Sequence, residues 1–255
     1  MTAMPQGRTR RTALLGAVCA LVVTGLGLTG CSEDPDAGTN GVGKLPPEQI
    51  QQRTRAAASS VNAVRLAGTV AAGGRTYELD MRLKADGGSG SVTAEGATFH
   101  LLRIGEQLYL KADADFWSHG DDGDDAKDGE GGSDAAAADK LGGKYVKVPS
   151  GDPAYKKFSG LTDKNVLLDG LLTLHGKLST DGHHEQAGVR TIRITGGDGS
   201  GGTLDVSLEG RPYPLRLVRA GGAGTLTFSA WGQDFALEEP PEKETVDYGK
   251  RLPTS

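Results

Sequence analysis

The sequence is poor in cysteine and in aromatic residues, with two cysteines among 255 residues and 5% aromatics. Both cysteines lie in the first 31 residues, so the chain after Cys31 has no thiol for a disulfide. Even in a compartment where disulfides can form, this part of the chain must be held together by its apolar core alone. With so few rings, that core must be built mainly from Leu and Val. Lys and Arg are not clustered, which argues against a nucleic acid-binding surface.

No apolar run is long enough to predict a membrane-spanning helix, which needs about 20 apolar residues. The stretch from Leu14 to Leu28 is shorter and interrupted by glycine. It follows Arg8, Arg10 and Arg11, and a positive segment before an apolar stretch is the layout of an export signal. The letters "LTGC" at its end resemble the lipobox of bacterial lipoproteins, in which the signal is cleaved before the cysteine, here Cys31.

Lipidation of Cys31 follows from this resemblance. Residues 1–30 would be the lipoprotein signal peptide, the thiol would carry a diacylglycerol, and the new amine would be acylated, for example with palmitate. Two acyl chains anchor a protein stably, whereas one binds only marginally. We therefore expect a lipid-anchored protein on the extracytoplasmic face of the cell membrane. An ordinary signal peptide with a coincidental cysteine is the alternative, and Arg10-Arg11 leaves open whether export is twin-arginine or general secretory.

The charge is acidic and unevenly distributed. The formal net charge of -5 becomes -8 once residues 1–30 are removed. Residues 118–140 are acidic and rich in Gly and Ala, and we interpret them as a disordered insertion. Residues 31–45 are polar and predict a flexible tether. Residues 242–255 form the predicted C-terminal tail, which leaves 46–241 as one domain.

A helix is predicted at the start of this domain. It begins at Pro46-Pro47, because proline is favoured in the first helical turn and the apolar residues that follow have helical spacing. After this helix the apolar period changes to two. The clearest case is 75–85, "RTYELDMRLKA", in which apolar residues alternate with Glu78, Asp80, Arg82 and Lys84, as in a half-buried antiparallel strand. Two short helices are predicted from Asp152-Pro153 and after Asp163, and further alternating strands follow.

About ten strands with one apolar face each must bury those faces together, because the helices are too few to form a second full layer. The predicted fold class is therefore α+β, with a single strongly curved antiparallel sheet, a half-barrel, wrapped around a few helices. Such a sheet, closed imperfectly by helices, often leaves an apolar hollow. The strand residues predicted to line it are Tyr77, Leu79, Met81, Leu83, Phe99, Leu101, Leu108, Leu110, Leu204, Val206, Leu208, Leu215, Leu217, Leu226 and Phe228. The helix residues predicted to cover it are Val166, Leu167, Leu171 and Leu172.

The order of these stretches resembles the LppX/LprG-type bacterial lipoproteins, which have a LolA/LolB-like half-barrel. The resemblance rests on "LTGC", on "VRLAGTV" after the first helix, on "FHLLRIGEQLYLKAD" leading to "FW", and on "GRPYPLRLV" followed by "LTFSAWGQDFALEEPP". It implies binding of a lipid or acylated glycolipid in an apolar cavity, as an envelope lipid carrier or presenter. It carries over no catalytic residues and no cofactor. The acidic insertion departs from the compact pattern of the family and leaves ligand access open.

The simpler interpretation of the apolar positions is a core filled by the protein's own side chains. The corresponding alternative function is a non-ligand-binding envelope scaffold or signalling accessory with an unknown protein partner. Catalysis is not predicted, because no G-x-S-x-G elbow occurs and the carboxylate pairs lie only in the acidic segment, where nothing would desolvate them.

Three further patterns have simpler readings than ligand sites. Residues 197–202 match G-x-G-x-x-G, but a dinucleotide site requires a helix to follow. An alternating strand pattern follows instead, so these glycines predict a hairpin turn. His183-His184, with His175 nearby, lack metal-ligand spacing. The acidic run from Asp121 to Glu130 does not fit a calcium loop, because alanines fall at ligand positions. We predict no metal site.

Overall fold

The computed structural model describes residues 34–118, 139–247 and 249. Pro35 to Ser255 form one compact unit, and the fold below is that of its described part. The predicted signal peptide and Cys31 lie outside the described residues. Most of the predicted acidic insertion does so as well.

The described chain forms a single sheet of twelve strands. Its order is β12-β6-β5-β4-β3-β2-β1-β11-β10-β9-β8-β7. The strands are β1 Ala63–Ala72, β2 Arg75–Lys84, β3 Gly87–Ala94, β4 Ala97–Ile104, β5 Gln107–Ala112, β6 Tyr145–Val148, β7 Leu178–Gln186, β8 Val189–Gly196, β9 Thr203–Ser207, β10 Pro214–Val218, β11 Thr225–Ser229 and β12 Thr245–Asp247. The sheet is not closed, since β12 and β7 are its two edges.

Four α-helices that lie wholly within the described residues accompany the sheet, and they confirm the predicted α+β half-barrel class. They are α1 Pro47–Ser60, α2 Ala114–Ser118, α3 Pro153–Thr162 and α4 Lys164–Leu171. Every pair of neighbouring strands is antiparallel except β12 and β6, which run parallel. The sheet is therefore mixed rather than purely antiparallel, because the chain returns to β6 from its C-terminal end.

The helices begin where the sequence places their caps. The Asp152 carboxylate accepts a hydrogen bond from the Ala154 amide, and Pro153 occupies the first position of α3. The Asp163 carboxylate accepts hydrogen bonds from the backbone amides of Asn165 and Val166 in the first turn of α4, each at 3.0 Å. Such caps satisfy amide donors that have no partner within the helix.

Alternation fixes which side of each strand meets the core. On β2, Leu79, Met81 and Leu83 are buried, and the residues between them are more exposed. Glycine allows the closest strand approach, since a Cβ on Gly90 of β3 would lie 2.2 Å from the Asp80 carbonyl oxygen. The buried residues of β2 join one core that also takes in Ile50 of α1.

Helices α1, α3 and α4 pack on this core, each at a different place. Helix α1 buries Ile50, Thr54 and Ala58 and packs on β7 and β8. Helix α3 packs on β3, β4 and β5, and α4 contacts α1 and α3. Helices α3 and α4, residues 153–171, are called the helix cover below.

The structure differs from the predicted domain ends. Residues 36–45, within the predicted tether, pack on the sheet: the Asn40 amide donates to the Leu208 carbonyl at 2.8 Å, and Val42 is 1% exposed. Residues 242–247, within the predicted tail, form a helical turn and strand β12. Both segments are short and polar, so composition alone did not reveal that backbone hydrogen bonds hold them.

Candidate ligand-binding face

Fourteen of the predicted cavity residues are buried in one continuous core. They are Leu79, Met81, Leu83, Phe99, Leu101, Leu108, Leu110, Leu172, Leu204, Val206, Leu208, Leu217, Leu226 and Phe228. Tyr77, Leu167 and Leu171 are partly buried and pack against this core. The structure therefore brings these seventeen residues together between the sheet and its helices.

Two predicted residues lie elsewhere. Val166 faces away from the core and is 62% exposed. Leu215 is half-buried and outside the core, because the pairing of β10 with β9 shifts between Pro214 and Arg216. That bulge moves Leu215 out of the alternation that would place it beside Leu217.

The inner face is filled by the protein's own side chains. Leu83, Leu108, Leu204, Leu208 and Leu226 each have 0% of their surface exposed. A side chain lining a void wide enough for an acyl chain would retain accessible surface. Along these side chains the structure consequently has no open hollow, and a ligand could reach them only if the helices packed on the sheet moved.

A buried lysine lies where the helix cover meets α1. Lys164, the first residue of α4, is 2% exposed, and its Nζ donates to the carbonyl oxygens of Ser59 at 3.2 Å and Ala58 at 3.5 Å. Burial lowers the pKa of Lys164, because desolvation disfavours the ammonium, and the nearby Asp163 opposes this. A cation here is favoured by the carbonyl end of α1.

Aromatic rings cluster beneath the other end of the helix cover. The Phe99 ring centroid lies 5.3 Å from that of Phe116 and 5.5 Å from that of Phe158. Trp117 meets Phe116 edge-on at 5.2 Å and is 4% exposed. The Trp117 Nε1–H has no hydrogen-bond partner in the structure as described. A buried donor left unsatisfied costs about 1–3 kcal/mol.

The sequence predictions did not include Trp117 or Lys164 as special positions. The letters "FW" that follow the fifth strand were the available signal for Trp117. Lys164 follows a capping aspartate at the start of an apolar helix. Such a position reads as exposed in sequence, because helix starts usually are.

The histidines pair with carboxylates and peptide groups. His183 and His184 lie on β7, although the letters around them, "TDGHHEQAG", have the composition of a turn. The His183 Nε2 is 3.1 Å from Asp36 Oδ1, and the His184 Nε2 is 2.9 Å from the Asp181 carbonyl oxygen. Within the described residues no cluster of three or more potential metal ligands occurs.

Residues 197–202 form the turn between β8 and β9, which confirms the hairpin prediction.

The site is thus a large apolar face on the inside of an open half-barrel, closed by short helices. In the part of the chain that is described, no helix combines the length and hydrophobicity needed to cross a bilayer.

This arrangement is that of a known class of half-barrel proteins. Among solved structures, the chain is similar to LprF from Mycobacterium bovis, with a TM-score of 0.50 and 16% identity over 76% of this chain and 96% of that one. The similarity to LprF confirms, at the level of the fold, the resemblance to LppX/LprG-type lipoproteins.

Two more distant structures are also similar. They are the lipoprotein LppX of Mycobacterium tuberculosis, at TM-score 0.43, 16% identity and 74% and 97% coverage of the two chains, and an uncharacterized conserved protein from Thermus thermophilus, at TM-score 0.36, 12% identity and 78% and 98% coverage. No family model matches the sequence, and no curated protein does.

Proposed function

We propose that this protein is a lipid-anchored envelope lipoprotein that binds an acyl chain of a lipid or acylated glycolipid between its sheet and its helix cover. One observation carries the proposal. A continuous apolar face lies on an open twelve-stranded sheet, and the short helices that cover it do not form a full second layer.

The energetics favour an apolar ligand. Burying a methylene group contributes about 0.8 kcal/mol, so a long acyl chain could replace the contacts that the helix cover makes with the sheet. The cover is suited to movement, because α4 spans only eight residues and presents Val166 to solvent. In this proposal the filled interior is the ligand-free state, and the ligand enters as the cover swings away.

Trp117 gives the site a polar contact. Its Nε1–H, which has no hydrogen-bond partner among the described residues, could donate to an ester or amide carbonyl at the head of an acyl chain, which would remove the cost of leaving the indole donor unsatisfied. The surrounding rings of Phe99, Phe116 and Phe158 would exclude water from that hydrogen bond.

Native mass spectrometry of the full-length lipoprotein, purified from membranes in detergent, tests the proposal. We expect co-purified lipid beyond the covalent anchor. Titration with a brominated fatty acid should quench Trp117 in a Trp231→Phe variant more strongly than it quenches Trp231 in a Trp117→Phe variant, since Trp231 is only partly buried against the core, where its ring stacks on Phe228 at 6.1 Å. Protein that is uniformly ligand-free and shows no quenching in either variant would overturn acyl binding.

A second function is favoured by a specific observation, the filled interior. A scaffold or signalling accessory needs no internal cavity. The 0% exposure of the central leucines, which indicates a filled core, agrees with such a role. It predicts that the protein stays ligand-free in the same experiments and that a protein partner is recovered by cross-linking at the membrane. Loss of that partner should follow substitution of surface residues rather than of Trp117.

The anchor has its own test. A Cys31→Ser variant should move from the membrane fraction to the soluble fraction, or remain as unprocessed precursor, and should lose labelling by a palmitate analogue. Unchanged labelling of Cys31→Ser would overturn the predicted lipidation while leaving acyl binding to be judged by the quenching experiment.

A further inference from the structure

A groove of about 390 Å³ lies between α1 and the turn that joins β9 to β10. The N-terminal segment of the described chain contributes its third wall. The lining residues are Asn40, Val42, Arg53, Ala56, Ala57, Gly210, Arg211 and Pro212.

The N-terminal segment is fastened to this end of the sheet. Asn40 donates from its side-chain Nδ2 to the Ser207 carbonyl at 3.0 Å, and from its backbone amide to the Leu208 carbonyl at 2.8 Å. Asp36 contacts His183 of β7 at 3.1 Å. The chain is therefore fixed to the wall of the groove from Asp36 onward.

The distance from this fixed point to the predicted anchor is short. Asp36 is the fifth residue after Cys31, and a chain extends by at most about 3.6 Å per residue, so the two are at most about 18 Å apart. A lipid on Cys31 would hold Asp36 within that distance of the headgroups, and the groove residue Asn40 follows Asp36 by four positions. The opposite end of the sheet, with the β1–β2 and β3–β4 turns, lies farther away by the length of the strands.

The charges of the groove suit a phosphate group. Arg53 makes no ion pair with any residue that the structure describes, and Arg211 donates to Ser60 Oγ at 3.2 Å. The neighbouring Glu209 carboxylate already contacts Arg190 at 3.4 Å. Two guanidinium groups thus flank a floor of alanine and proline side chains.

We propose that this groove is a membrane-docking surface, in which Arg53 and Arg211 bind the phosphate of an anionic phospholipid in the bilayer that carries the anchor. The inference rests on the proposed lipidation of Cys31, but not on acyl binding inside the sheet. Docking orients the domain so that the α1 end faces the membrane. Each arginine near an anionic surface should strengthen docking by about fivefold.

The test uses the full-length lipoprotein in vesicles with an environment-sensitive fluorophore on a single introduced cysteine. Ala56→Cys places it in the groove, and Ala97→Cys, at an exposed alanine in the opposite half of the molecule, is the matched control. In vesicles of phosphatidylcholine with 30% phosphatidylglycerol, we expect blue-shifted emission and quenching by spin-labelled lipid at position 56 and neither at position 97.

Charge is tested in the same system. Arg53→Gln with Arg211→Gln should abolish the shift at position 56, as should pure phosphatidylcholine vesicles. Arg75→Gln with Arg219→Gln removes the same charge far from the groove and should leave the shift intact. Equal spectra at positions 56 and 97, in protein that stays in the membrane fraction, would overturn docking and leave the proposed function standing. Protein released from the membrane would instead overturn the anchor.

Discussion

Arg193 on β8 and Asp205 on β9 face each other across the side of the sheet opposite the core. The Arg193 Nε is 2.6 Å from Asp205 Oδ1, and its Nη2 is 3.1 Å from Oδ2. Asp205 is 1% exposed, and its hydrogen bonds raise the pKa of Arg193. Arg65 and Asp80 form a pair of the same geometry, but both side chains are more than 40% exposed.

Substitutions of Arg193 and of Asp205 should lower the free energy of unfolding by different amounts. Arg193→Met leaves the buried Asp205 carboxylate without its main partner, and we expect a loss of about 3–5 kcal/mol in the free energy of unfolding. Asp205→Asn should cost less, about 1–3 kcal/mol, because Arg193 retains some water and Asp181 at 3.8 Å. Urea unfolding of the variants measures both. Arg65→Met is the exposed control and should cost no more than about 1 kcal/mol.

The buried Lys164 predicts a pH dependence with a definite sign. Its pKa in the folded protein is lowered from 10.5 by desolvation. Between that lowered pKa and 10.5, the unfolded chain binds more protons than the folded one, so stability rises with pH in this window. The stability of the wild type relative to Lys164→Met should therefore increase as the pH approaches 10.5. An equal change in Lys156→Met, an exposed lysine of α3, would contradict this assignment.

The cap on α4 predicts how easily the helix cover moves. Asp163→Ala removes the acceptor of two amide hydrogen bonds and should cost about 1 kcal/mol, whereas Asp163→Asn keeps an acceptor and should cost less. Hydrogen exchange should quicken in residues 164–171 of the alanine variant. Quenching of Trp117 by brominated fatty acid should then be faster in Asp163→Ala. Faster exchange with unchanged quenching would mean that ligand access does not pass through α4.

The fastening of residues 36–45 is also testable. Asn40→Ala removes its side-chain hydrogen bonds to the Ser207 carbonyl and the Val42 amide. We expect amide exchange across this segment to accelerate by about thirtyfold, as each of the two hydrogen bonds contributes about 1 kcal/mol net. Asn165→Ala, at an exposed helical position, is the control. Unchanged exchange at Gly41 and Val42 would show that the backbone bonds alone hold the segment.

Alternation of apolar and polar residues predicted most of the sheet. Tyr77 to Leu83 fall on β2 as expected, because burying one face dictates period two. Asp152 and Asp163 predicted both cover helices through their capping oxygens. Pro214 is the first residue of β10 and lies at a bulge, as expected of a proline, which disfavours the interior of a central strand.

The features that sequence did not predict depend on long-range partners. Strand β7 runs through "TDGHHEQ", whose composition indicates a turn, because pairing with β8 overrides local preference and absorbs Gly182 in an irregular register. The burial of Lys164 depends on carbonyl groups more than a hundred residues earlier in the chain. Whether the inner face is open or filled depends on side-chain volumes across the whole core, and no local pattern encodes that sum.

Strand β12 pairs with β6 from Thr245 to Tyr145, across 100 residues of chain. Until the C-terminal segment has been synthesised, β6 remains an edge with unpaired peptide groups. A product that ends prematurely before Thr245 would therefore contain nearly the whole sheet and yet expose β6 as an edge strand that can pair with other chains. Proteases and chaperones could distinguish such a product from the finished protein by the exposed backbone of β6.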